Sequence, residues 1–261
     1  MTITRQFSLA LDALVELKAE TTDTTPQPQP VPAAPTLSGV LSEVGSMPRE
    51  GLFLGIASDG LPVLLNLHDS APGPIMIASD SSTGKTAFLR MIASAVQQTH
   101  HSEHVQFGVI TNRPEEWESV PTTDHFVGVF PVYHNSAQDF LLSLASWAHA
   151  NRSKQSVLLF IDDLEAAAKL DSEALQNLRW LLLRGPARRV WPIITINAER
   201  YGQILSWIPL FRTRIFGQIK KEQIAGALGG DAASMLDRLE AGLQFTLREN
   251  GQWLWFWLPG C

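Results

Sequence analysis

The stretch from Ile75 to Arg90 constrains this chain more than any other. It reads IMIASDSSTGKTAFLR: an apolar run, a polar loop, and then Phe88, Met91, Ile92, Ala95 and Val96 at the spacing of one helix face. A strand that breaks into small polar residues and resumes as an amphipathic helix leaves the first helical N–H groups without partners. The helix dipole makes that end favourable for an anion. Gly84 permits the tight turn before the helix, Lys85 supplies a cation, and Thr86 supplies a hydroxyl suited to Mg²⁺. The segment predicts a phosphate-binding loop of Ser79, Asp80, Ser81, Ser82, Thr83, Gly84, Lys85, Thr86 and Ala87, with ATP and Mg²⁺ as its ligands. Gly-Lys-Thr alone is a common tripeptide that Thr83 or Ser82 could serve as a plain helix cap; the strand before it and the helix after it favour the phosphate reading. Ser79 stands where the pattern has its first glycine, and serine tolerates positive φ or a close backbone approach less well.

Such a loop needs an acid at the end of a nearby parallel strand to share the metal with Thr86. Val157-Leu158-Leu159-Phe160-Ile161 reads as a strand buried on both faces, and Asp162 and Asp163 follow it directly. Asp162 is the expected metal acid, and Asp163 occupies the place from which many ATPases orient the attacking water with a glutamate. Aspartate is one methylene shorter, so slow hydrolysis is expected. Glu165 reads as a solvated acid in the first turn of the next helix, able to compensate only if the chain turns sharply after Asp163. A third run, Pro192 to Ile196, ends in Asn197, which is either a γ-phosphate contact or an ordinary turn residue. Arg212 and Arg214 are candidates for an arginine finger across a subunit boundary, against the plainer alternative of solvated edge-strand arginines.

Around these segments, short apolar runs alternate with helix-period stretches, the pattern of an α/β fold with a largely parallel sheet. Strands are expected at 74–78, 105–110, 126–131, 156–161 and 192–196, and helices at 85–99, 136–150 and 172–184. Residues 52–56 and 62–67 form an expected hairpin about Asp59-Gly60, and 213–219, 243–248 and 252–258 are further strands. Residues 1–20 hold a candidate amphipathic helix, with Phe7, Leu11, Leu14 and Val15 on one side. Residues 21–49 form a Pro-rich linker, and 50–261 the domain.

With 45% hydrophobic and 18% charged residues the composition is globular, and a formal charge of −6 gives no general attraction to nucleic acid or anionic lipid. The single cysteine, Cys261, excludes an internal disulfide, and no run suits a membrane span, so a cytoplasmic protein without membrane insertion is expected. His100, His101 and His104 read as a solvated loop rather than a metal site, and Arg184, Arg188 and Arg189 as a helix-end basic cluster. Trp253, Trp255 and Trp257 alternate with apolar residues, reading as a strand buried between layers or one face of a subunit interface.

The succession LGIASDGLPVLLNLHDSAPGPIMIASDSSTGKTAFLR, LLFIDDLE, RGPARRVWPIITINAER and IPLFRTRIFGQIKKEQIAGALGG resembles the FtsK/SpoIIIE/HerA group of additional-strand P-loop ATPases over about residues 50–258. Within that group, DSSTGKTAFLR is similar to the ATPase domains of type VII secretion (EccC-like) proteins. The resemblance implies a RecA-like P-loop NTPase fold, with additional antiparallel strands beside the parallel sheet. It also implies a homo-oligomer, commonly a hexameric ring around DNA or a protein, with ATP at subunit interfaces. Lys85 and Thr86 match the Walker A lysine and hydroxyl, Asp162 the first Walker B acid, and Asn197 the polar sensor. Asp163 falls at the catalytic glutamate. The expectation is an ATP- and Mg²⁺-dependent ATPase that hydrolyses slowly to move or assemble a macromolecular partner; the alternative is a non-hydrolysing nucleotide-binding scaffold. The winged-helix DNA-reading module of the chromosome-pumping members has no counterpart here, so sequence-directed DNA translocation is not expected.

Overall fold

Runs of consecutive apolar residues become strands because only a sheet covered on both sides can bury every side chain of such a run. The computed structural model describes residues 35–260 apart from 46, 231–232 and 250–251. The expected helix within 1–20 lies outside the described residues. In chain order the elements are α1 (Leu37–Val44), β1 (Gly51–Ala57), β2 (Pro62–Asn66), β3 (Ile75–Ser79), α2 (Lys85–Thr99), β4 (Val105–Thr111), β5 (Phe126–Pro131) and α3 (Asn135–Ala150). They continue with β6 (Ser156–Asp162), α4 (Leu164–Ala167), α5 (Ser172–Arg184), β7 (Val190–Asn197), β8 (Thr213–Phe216), α6 (Glu222–Gly229), β9 (Gln244–Glu249) and β10 (Gln252–Trp257).

All the strands join one ten-stranded sheet in the order β2-β1-β10-β9-β8-β3-β7-β6-β4-β5. From β8 to β5 the pairing is parallel, and β9, β10, β1 and β2 extend it antiparallel. Ile75 and Ile77 of β3 face a core layer with α1 and α2, whereas Met76 and Ala78 face the layer of α3, α4, α5 and α6. This is an α/β fold with a parallel centre, helices on both faces and an antiparallel extension. β3 and β6 flank β7, so all three deliver their C-terminal residues to one edge of the sheet.

The expected linker over 21–49 gives way to structure earlier than its prolines suggest. Pro35 is the last of the run, and Leu37–Val44 is helical, capped by Thr36, whose hydroxyl accepts the Gly39 N–H at 3.2 Å. Leu37, Val40 and Leu41, at i, i+3 and i+4, are buried against the core. The helix start is also tied to the far end of the chain: the Leu37 N–H donates to Gly260 O at 2.8 Å, and the Gly260 N–H to Pro35 O at 3.0 Å.

The last strand is not enclosed as a layer-to-layer strand would be. Phe256 is buried, Trp253 and Trp255 are half-buried, and Trp257 is 41% exposed. His100 is no solvated loop residue either. It is the C-cap of α2, and burial, then the neighbouring His125 and His104, lower its pKa.

Candidate phosphate-binding site

The loop after β3 is held in an open turn by its own polar residues. The Thr83 hydroxyl donates to Ser79 Oγ at 2.6 Å and lies 2.8 Å from the Asp80 carbonyl, and the Lys220 N–H donates to Asp80 Oδ2 at 2.9 Å. Asp80 Oδ1 is buried without a hydrogen-bond partner among the described residues. Gly84 precedes α2 at φ +89°, and a Cβ there would lie 2.4 Å from the Cα of Gly242, so the position requires glycine twice over. Among the described residues no side chain caps α2, and its free N–H groups open on a cavity of about 300 Å³. Ser81, Ser82, Thr83, Gly84, Lys85, Thr86 and Ala87 line one side of it.

Ser79 does not carry the strain that a serine at the first glycine position implies. Its φ is not positive; only Ser82, Asp163 and Arg189 among the described non-glycine residues have one. Room for its side chain comes from the segment just after β8, where a Cβ on Gly217 would approach the Ser79 Cβ to 3.0 Å. Lys85 folds over this strand end, its Nζ donating to the carbonyls of Ser79 at 3.1 Å and Asp80 at 2.6 Å. Burial lowers the Lys85 pKa, while Glu165, Asp162, Asp80 and Asp163, in that order, act to keep the ammonium charged.

Across the cavity, Asp162 is buried at the end of β6 and joined to the loop directly. The Thr86 hydroxyl donates to its Oδ2 at 2.8 Å, and the Thr195 hydroxyl of β7 donates to its Oδ1 at 2.9 Å. Thr195 also accepts the Asp163 N–H at 2.8 Å, fixing the turn that follows. Asp163 takes a left-handed backbone, φ +88°, and its carboxylate is occupied. It accepts from the Ala166 N–H at 3.1 Å, Arg200 Nη2 at 3.1 Å and Asn112 Nδ2 at 3.3 Å. Burial raises the Asp163 pKa, but the neighbouring Glu165 carboxyl, the charge of Arg200 and the Ala166 amide together hold it below the ordinary value.

The sharp turn at Asp163 carries Glu165 inward, correcting its reading as a solvated acid. Its residue is 2% exposed, Oε1 accepts the Asn197 N–H at 2.8 Å, and Oε2 is buried without a hydrogen-bond partner among the described residues. Burial, followed by the neighbouring Asp163 carboxylate, pushes the Glu165 pKa up to about 7. Asn197 lines the cavity, yet its side-chain oxygen accepts the Glu199 N–H at 3.1 Å and so caps the short 3₁₀ segment Ala198–Ile204.

Arg113, Glu116, Thr195 and Arg200 complete the wall, and reading the sequence missed all four as site residues. Arg113 pairs with Glu116 at 2.5 Å. Thr195 sits inside an apolar run, Arg200 lies in the short 3₁₀ segment and Arg113 just before another; none stands in a motif. Arg212 and Arg214 do not line this cavity. Arg214 donates to the carbonyls of Leu228 at 2.9 Å and Ile208 at 3.3 Å within its own chain, and Arg212 packs over Gly73. Arg189 donates to Leu67 O at 3.2 Å, bracing the opposite end of the sheet.

No family model matches the sequence, and no curated protein matches it either. Solved structures do. The cytoplasmic domain of the Thermomonospora curvata type VII secretion ATPase EccC superposes with a TM-score of 0.71 at 13% identity, covering 87% of this chain and 32% of that one. ATPases 2 and 3 of T. curvata EccC, in complex with a signal sequence peptide, give 0.69 at 16% identity, over 91% of this chain and 45% of that one. The pCW3 conjugation coupling protein TcpA with ATPγS gives 0.62 at 12% identity, covering 89% and 70%. The chain thus spans less than half the length of these EccC structures, and at such identities the shared property is the fold. That fold is the one seen in the type VII secretion ATPase EccC and in the conjugation coupling protein TcpA.

Proposed function

We propose that this chain is an ATP- and Mg²⁺-binding P-loop ATPase of the FtsK/HerA-like type, cytoplasmic and homo-oligomeric, with a hexameric ring as the arrangement to test. It would hydrolyse slowly to drive movement or assembly of a macromolecular partner. The observation that carries the reading is the 2.8 Å bond between Thr86 and Asp162 across the mouth of an uncapped helix. Hydroxyl and carboxylate together form a hard oxygen pair suited to Mg²⁺ in the presence of phosphate oxygens and water. The free amides, the Gly84 turn and Lys85 supply donors for a polyphosphate, so the residues present fit both groups.

On this reading Lys85 and the loop amides hold the β and γ oxygens, Thr86 and Asp162 hold the metal, and Asn197 faces the γ end of the cavity. Bound Mg²⁺ would offset the charge developing on the transferred phosphoryl group. Asp163 sets the expected rate. Its carboxylate is tied to three donors and is a poorer base than a free glutamate, which supports slow turnover. The same observation favours a second reading, a scaffold that binds nucleotide without hydrolysing it.

A protein partner has the better support of the two classes. EccC ATPases 2 and 3 were solved with a signal sequence peptide, and the charge of −6 disfavours general contact with phosphate backbones. Among the described residues no helix is long and apolar enough to cross a membrane.

Thermal unfolding and steady-state turnover with ATP and Mg²⁺, for wild type, Lys85→Ala and Asp162→Ala, test the proposal. Wild type should be stabilised by about 2.7 kcal/mol at a hundredfold ligand excess over Kd. Both variants should lose that gain along with the turnover. Stabilisation without turnover selects the scaffold, and no stabilisation removes both readings.

A further inference from the structure

The phosphate cavity contains a cation that the proposed function leaves unused. Arg200 lies in the 3₁₀ segment that follows β7 and lines the same cavity as Lys85, Thr86 and Asp162. Its Nη2 lies 3.1 Å from Asp163 Oδ2, with the Arg200 side chain 44% exposed and the Asp163 side chain 11%. The two partners are therefore unequal. Asp163 is pinned by the Ala166 amide and by Asn112, whereas Arg200 stands on the solvent side of the pair and can turn about its long stem.

Of the cavity's other cations, Lys85 is already given to the β and γ oxygens in the proposed function, and Arg113 pairs with Glu116 three residues along the chain. A guanidinium offers five donors, and among the described residues this contact uses Nη2 alone. A half-exposed ion pair of this kind is weak, while a terminal phosphate oxyanion presents more charge and matches a guanidinium fork.

We propose that Arg200 reads the terminal phosphate of a nucleoside triphosphate within its own subunit, giving up Asp163 to do so. The exchange has two consequences. A triphosphate is held more tightly than a diphosphate, which leaves the Arg200–Asp163 pair intact. Asp163, released from its cation, can then accept a hydrogen bond from water at the γ end of the cavity. The second departure from the usual pattern thus becomes conditional: the short carboxylate is engaged when no terminal phosphate is present and freed when one is.

This inference rests on the nucleotide-binding reading, and the test separates the two. Calorimetric titration of the full chain with ATPγS and with ADP, each with Mg²⁺, is carried out for wild type, Arg200→Ala, Arg200→Lys and Asp163→Asn. Arg200→Ala should weaken ATPγS about tenfold and change ADP less than twofold. Arg200→Lys should recover part of the loss. Asp163→Asn, which removes the competing charge, should tighten ATPγS several-fold while ADP stays the same. Equal weakening of both ligands in Arg200→Ala would make Arg200 a structural brace and overturn the proposal, as would no change in either. Wild type binding neither ligand would overturn the nucleotide reading itself.

Discussion

A serine stands at the end of β3 where the loop pattern has glycine, and an aspartate stands at the end of β6 where many ATPases have glutamate. The first is accommodated: Gly217, just after β8, leaves space for the Ser79 Cβ, and the Ser79 hydroxyl accepts from Thr83. The second is put to structural use, with Asp163 capping α4 and pairing with Arg200. A missing glycine can be compensated by deleting a methyl group next door. A shortened carboxylate on a left-handed turn cannot be lengthened by its neighbours, and it finds partners where it is. On the proposed function, nucleotide grip and hydrolytic power would therefore rest on separable features, at the ends of the two strands that flank β7.

The largest effect should come from breaking the grip outright. Gly84→Ala puts a side chain at positive φ and against Gly242, so it should cost about 4 kcal/mol in denaturant titration and abolish nucleotide-dependent stabilisation. A loss below about 1 kcal/mol would mean that the backbone contact with Gly242 is easily relieved.

The acid end of the cavity is sharpened by pH. Glu165 has a folded pKa of about 7 against an ordinary 4.5, so the folded chain retains a proton that the unfolded chain releases between those values. Stability should fall as pH rises through that window and level off above it. Glu165→Gln keeps an acceptor for the Asn197 N–H and stays neutral. It should match wild type near the bottom of the window and exceed it at pH 8 by at most about 3 kcal/mol. Parallel pH profiles of the two proteins would show that Glu165 does not carry this proton.

The smallest effect tests the compensation at β3. Gly217→Ala should cost about 1–2 kcal/mol through contact with Ser79 and Phe245, and Ser79→Gly in the same chain should restore part of it. Strict additivity in that cycle would uncouple the two positions.

The parallel strands and the helices at 85–99 and 172–184 could be read from the sequence because each is a simple period or a continuous apolar run between polar breaks. That residues 81–87 and Asp162 would meet at one cavity was legible for a related reason, since each stands at the end of such a run. α1 was hidden by the prolines before it, and α6 by its glycines, Gly226 and Gly229. The inward turn of Glu165 depends on the left-handed backbone of Asp163, which aspartate tolerates without announcing it. Thr195 and Arg200 act through contacts 32 and 37 residues distant in sequence, and no local pattern encodes those. The tryptophan strand showed the limit of alternation: it marks two apolar faces but not how much of each is covered.

The clasp between Pro35, Leu37 and Gly260 makes the domain's entrance and exit adjacent. Polypeptide joined upstream and polypeptide joined downstream would leave from one spot on the surface, so the unit can be spliced into a larger protein, or carried on a tether, without threading around its own body. Traction applied to both ends would load that short seam first and spare the phosphate cavity.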